Sequence, residues 1–63
     1  MKQEDIKSFA TICRIAAIHE KRREYDLAKS YHIQIVDFYS SHPDDCKRLD
    51  EIHRRISREI YQN

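Results

Sequence analysis

Residues 4–21 read Glu4-Asp5-Ile6-Lys7-Ser8-Phe9-Ala10-Thr11-Ile12-Cys13-Arg14-Ile15-Ala16-Ala17-Ile18-His19-Glu20-Lys21. Wound as a helix, Ile15, Ile12, Ala16, Phe9, Cys13, Ile6, Ala17 and Ala10 fall on one arc of roughly 220°. That is more than twice the ~100° stripe of a helix that rests a single face on a core. Ile18 lies off the arc. So wide an apolar surface needs neighbours on two sides, and the rest of the chain offers two further amphipathic segments.

The second helix is predicted over 25–40. Leu27, Phe38, Tyr31, Ile35, Ala28, Tyr39, His32, Tyr25 and Val36 share an arc of roughly 180°, with Ile33 on the polar side. Tyrosines at its rim can bury a ring and keep the hydroxyl in water. The third helix is predicted over 43–61. Ser41 followed by Asp44 reads as a near capping box, and Pro43 suits a first turn because its missing N–H is not needed there. Cys46, Leu49, Ile52, Ile56 and Ile60 make a narrower stripe of about 120°. Asp50–Arg54 and Glu51–Arg55 are i,i+4 pairs in the favoured order. The turn Lys21-Arg22-Arg23-Glu24 is short, so the first two helices are antiparallel neighbours. Small Ala10, Ala16 and Ala17 are expected to face Tyr31 and Tyr39. The expected fold is all-α, a three-helix bundle of hairpin plus helix, with 1–63 forming one domain.

The chain has 63 residues, with 12 Lys+Arg against 11 Asp+Glu, a net charge of +1, 37% charged residues and 40% hydrophobic ones. That balance is too apolar for a disordered tail and too charged for a membrane span. Glycine is absent, which removes glycine-built phosphate cradles and dinucleotide fingerprints. A chain this short buries only about 60% of its unfolded surface, so it gains much from oligomerisation, and a homodimer is expected. The start Met1-Lys2-Gln3-Glu4-Asp5-Ile6-Lys7 has no apolar stretch behind it, and the longest pure apolar run is Ile15-Ala16-Ala17-Ile18. No secretory signal or membrane partner is expected. Cys13 and Cys46 are read as reduced thiols in a cytoplasm.

Catalytic chemistry finds little footing. His19, His32, His42, His53, Cys13 and Cys46 make no CxxC, HxxxH or zinc-finger spacing. Asp50 and His53 resemble half of a di-iron pair without its second half. Cys13 lies within the apolar arc, where a thiol is inert packing. Cys46 sits in the first turn of a helix but also on its apolar stripe. No enzyme, metal or cofactor is expected. Lys21-Arg22-Arg23 and Arg54, Arg55, Arg58 are interleaved with Glu20, Glu24, Asp26, Asp50, Glu51 and Glu59, so direct nucleic-acid binding is not favoured.

The strongest signal is surplus apolar surface. Ile12, Ile15 and Ile18 on the first helix, and Leu27, Ile33 and Phe38 on the second, exceed what one short third helix can cover. Either a tight bundle encloses them all, or they contact another polypeptide. For so small a chain the second reading is favoured. Lys21, Arg22, Arg23, Arg54, Arg55 and Arg58 would then tune orientation and association rate.

The stretch Ala17-Ile18-His19-Glu20-Lys21-Arg22-Arg23-Glu24-Tyr25-Asp26-Leu27-Ala28 resembles the ANR family, the AraC negative regulators. Ala17, Glu20, Lys21, Tyr25 and Ala28 match that family's order of small, acidic, basic, aromatic and small residues. Arg23 stands where the family often has glycine, and His32 where it often has tryptophan. The resemblance implies a bacterial regulator that binds AraC-type virulence activators and blocks their dimerisation or DNA occupancy. It implies no catalytic residue. The Tyr25–Ala28 spacing is also similar to tetratricopeptide hairpins, and less closely to MIT domains, which would imply an adaptor for helical peptides.

Overall fold

The computed structural model describes residues 1–62. The order is α1 (Gln3–Lys21), α2 (Tyr25–Ser41), a single 3-10 turn at Pro43–Asp45, and α3 (Cys46–Gln62). The fold is all-α, with no strand among the described residues. It measures 32 × 22 × 17 Å. α1 is the central helix and packs along both α2 and α3, whose own backbones approach each other far less. Two neighbours on two flanks are what the wide arc of α1 demands. No helix among the described residues is long and apolar enough to cross a membrane.

The core forms where the three apolar faces meet. Phe9, Cys13, Ala16, Ile35, Leu49, Ile52 and Ile56 make one buried cluster, and Met1, Ile6, Ala10, Ile12, Tyr31, Phe38, Tyr39 and Ile60 pack around it. Phe9 is fully enclosed. Phe38 and Tyr39 of α2 meet its ring edge-on with centroids at 5.3 and 5.8 Å, and His53 of α3 does so at 6.5 Å. Tyr31 and Tyr39 pack on the cluster that holds Ala16, and each also has a ring partner: Tyr39 meets Phe9, and Tyr31 stacks on His19 at 5.7 Å. The Tyr39 hydroxyl is not wet as expected; it is buried without a hydrogen-bond partner. An unmatched hydroxyl of this kind destabilises by about 1–3 kcal/mol.

The α2 arc is narrower than its sequence reading. Ala28 and Ile35 are buried, while Tyr25, Leu27 and Val36 are at least half exposed. The reason is the architecture: α2 rests on α1, and α3 does not close over its flanks. The stripe of α3 behaves as read, with Leu49, Ile52 and Ile56 buried. Of the two i,i+4 pairs, Asp50–Arg54 closes at 2.9 Å; Glu51 and Arg55 line a shallow cleft over Ile6 instead.

The connection before α3 departs from the expected capping box. α2 continues through Ser41, so Ser41 caps nothing, and α3 starts at Cys46 after the 3-10 turn. Pro43 accounts for this. A residue preceding proline is pushed out of the helical region, and His42 sits at φ −130°, ψ 62°. The His42 backbone N–H still donates to the Phe38 carbonyl at 3.0 Å, and Asp45 N–H donates to His42 O at 3.0 Å.

The hairpin turn is held by backbone bonds and one left-handed residue. Arg23 N–H donates to Glu20 O at 2.9 Å and Glu24 N–H to His19 O at 2.8 Å, the bond pair of a Schellman cap. Arg23 occupies its positive-φ position, at φ 62°. The contact between the outer residues of that cap, usually apolar, is here polar: His19 Nδ1 lies 3.1 Å from Glu24 Oε1. A left-handed conformation strains any residue with a Cβ by about 1–2 kcal/mol, and glycine escapes that strain. Arg23→Gly is therefore expected to stabilise the bundle by about 1 kcal/mol, raising the thermal midpoint by roughly 4–8 °C. Thermal and urea unfolding followed by circular dichroism measure it; a midpoint that falls would contradict this account of the turn.

Candidate surface sites on the hairpin

Two stripes face each other across the α1–α2 groove on the side away from α3. On α1 the stripe is Ile12, Ile15 and His19, at helical spacing i, i+3, i+7. On α2 it is Leu27, Tyr31, Gln34 and Phe38, at i, i+4, i+7, i+11. The stacked rings of His19 and Tyr31 join the two. Leu27 is 50% exposed, and Ile12, Ile15 and Phe38 are half-buried. At the far end the groove opens into a cleft of about 340 Å³ lined by Asp5, Gln34, Asp37, Phe38, Ser41 and His42.

The six apolar candidates thus divide. Ile12, Ile15, Leu27 and Phe38 line this groove, and Ile18, half-buried, stands at its rim on the next turn of α1. Phe38 is partly spent on Phe9. Ile33, 56% exposed, lies on the other flank of α2 beside Val36 and Tyr25, which are 59% and 64% exposed. Val36 and Tyr25 escaped the sequence reading because both fall on the edge of the nominal core arc. The basic candidates divide as well. Lys21, Arg22 and Arg23 cluster, exposed, at the hairpin tip near Leu27. Arg54, Arg55 and Arg58 are exposed on the outer side of α3, away from the groove, and Arg54 is held by Asp50.

A polar clasp that the sequence reading missed closes the same end of the bundle. Glu20 of α1 meets His32 Nε2 of α2 through Oε1 and accepts a hydrogen bond from the Tyr61 hydroxyl of α3 on Oε2, at 2.7 Å. Lys21 Nζ adds a bond to the Ile60 carbonyl at 3.0 Å. One carboxylate ties three helices. Its signal was present: Glu20 continues the buried row Phe9, Cys13, Ala16 in register, and a carboxylate on an apolar row asks for partners. The hydrogen bond to Glu20 comes first among the causes that push the Tyr61 phenol up to about 12, with burial and the Glu20 charge adding to it. Burial raises Tyr39 as well.

Neither cysteine sits in a reactive setting of the usual kind. Burial pushes the Cys13 thiol up to about 12, so it is protonated packing. Cys46 is half-buried at the start of α3, its Sγ 3.8 Å from the carbonyls of Tyr39 and His42. Both are free thiols, and no group of three metal-ligating side chains converges among the described residues. Comparison of the chain with protein-family models, curated proteins and solved structures finds no match. The likeness of residues 17–28 to the ANR regulators rests on those residues alone.

Two measurements follow from this chemistry. A phenol raised in the folded state stabilises the fold below its ordinary value of 10 and stops doing so as pH climbs to about 12. The wild type should therefore lose thermal stability over that window more steeply than Tyr61→Phe; parallel declines would show that the clasp does not hold the phenol. In native protein a thiol reagent should modify Cys46 promptly and Cys13 at least about a hundredfold more slowly, since Cys13 reacts only through opening. Equal rates without denaturant would contradict the burial of Cys13.

Proposed function

We propose that this chain is a small regulator that works by protein–protein contact, its hairpin groove docking on a helical surface of an AraC-type activator. The single observation that carries the reading is Leu27, half exposed on the groove side left open by α3, one turn before Tyr31, whose ring stacks on His19 of α1. A helix laid along the groove would cover Leu27, Ile15 and Ile12 and exclude water from them, which supplies the affinity. Arg22 and Arg23, exposed at the hairpin tip, favour a partner helix that carries acidic residues there, while Lys21 is turned to the Ile60 carbonyl of α3. Occupying an activator's dimerisation or linker helix in this way would block its dimerisation or its hold on DNA. The likeness of Ala17, Glu20, Lys21, Tyr25 and Ala28 to the ANR regulators supports the choice of partner.

The test is co-purification with AraC-type activators, together with repression of a promoter they drive. Leu27→Asp and the double variant Ile15→Asp/Ile18→Asp should each weaken activator binding by at least about tenfold and relieve repression. Helical circular dichroism should be retained, with Leu27→Asp the cleaner variant because its side chain is already half in water. Undiminished binding by Leu27→Asp, or an absence of activator binding by the wild type, overturns the reading.

A further inference from the structure

The other flank of α2 carries a pattern the groove does not use. Lys29, His32, Ile33, Val36 and Asp37 line an apolar cleft of about 240 Å³, and Ile33 and Val36 at its centre are 56% and 59% exposed. Lys29 and Asp37 are also exposed. Among the described residues neither of them forms an ion pair within the chain. They carry opposite charges on opposite sides of the apolar pair, eight residues or about 12 Å apart along the helix.

We propose that this flank is the two-fold interface of a homodimer, with α2 pairing antiparallel to α2 of a second copy. An axis passing between Ile33 and Val36 sets Ile33 of each copy against Val36 of the other. The same axis brings Lys29 of one copy within reach of Asp37 of the other, and it does so twice. A parallel pairing would set Lys29 against Lys29 and Asp37 against Asp37, so the charge pattern selects the antiparallel second copy. The surface is complementary to itself, as a two-fold contact requires. Two apolar layers flanked by exposed charges place the contact at the weak end of specific interfaces, dissociating in the micromolar range and more readily at high salt. The groove holding Leu27 and Ile15 lies on the opposite flank of α2 and stays open in this dimer. The dimer therefore stands or falls independently of the activator reading.

Sedimentation velocity across a concentration series tests it on the intact chain, with circular dichroism confirming that each variant is folded. The wild type should pass from monomer to dimer as concentration rises, and Val36→Asp should remain monomeric. Lys29→Glu and Asp37→Lys should each weaken the dimer by about tenfold, and the double variant Lys29→Glu/Asp37→Lys should return it to within about twofold of the wild type. A wild type monomeric throughout, a dimer that survives Val36→Asp, or a double reversal that fails to restore association each overturns the proposal.

Discussion

The fold depends on a single ring. Phe9 is wholly removed from water, and it alone is met edge-on by side chains from both of the other helices: Phe38 and Tyr39 from α2, and His53 from α3. Burying such a ring stabilises by about 1.5–3 kcal/mol, and edge-to-face partners add about 0.5–1.5 kcal/mol each. In a chain this small those sums approach the whole net stability of the folded state. Neither α1 nor α2 has a side-chain cap at its start, so their persistence rests on packing more than on local signals. The Glu20 clasp at the opposite end of α1 is the polar counterpart of Phe9, fixing the far ends of the same helices with oriented bonds.

Placing α1 at the centre has a geometric result. Two helices laid on the flanks of a third leave each outer helix with an uncovered back, and on α2 that back is partly apolar. Leu27 faces one open side, and Ile33 and Val36 the other. The short side chains of Cys13, Ala16 and Ala17 on α1 are buried, but they do not draw α2 and α3 together closely enough to hide these residues. The exposed residues are therefore a product of the architecture and are not scattered accidents of composition.

Much of this was legible in the residues. The three helices, the hairpin and the central role of α1 follow from apolar periodicity, because a wide arc can be satisfied only by two neighbours. Less legible was how far each arc is used. Tyr25 and Val36 sit at an arc edge whose burial depends on where α3 lies, which periodicity within α2 does not encode. Turn chemistry misled at Ser41, where Pro43 forces His42 out of the helix and moves the start of α3 to Cys46. Arg23 gave no warning of its positive φ, since with glycine absent some other residue has to adopt it. Of the candidate contact residues, Phe38 illustrates the limit best: it shares a stripe with exposed Leu27 and yet leans inward on Phe9.

Burial is shared unequally among the helices. α1 contributes four buried side chains and α3 three, whereas α2 contributes only Ala28 and Ile35. α2 therefore leans on contacts that are only partly enclosed: the rings of Tyr31, Phe38 and Tyr39 pack around the core cluster and not within it. Any molecule that seats on either side of α2 shields such contacts from water, so occupancy would register as added rigidity across the bundle even where no atom changes its average place.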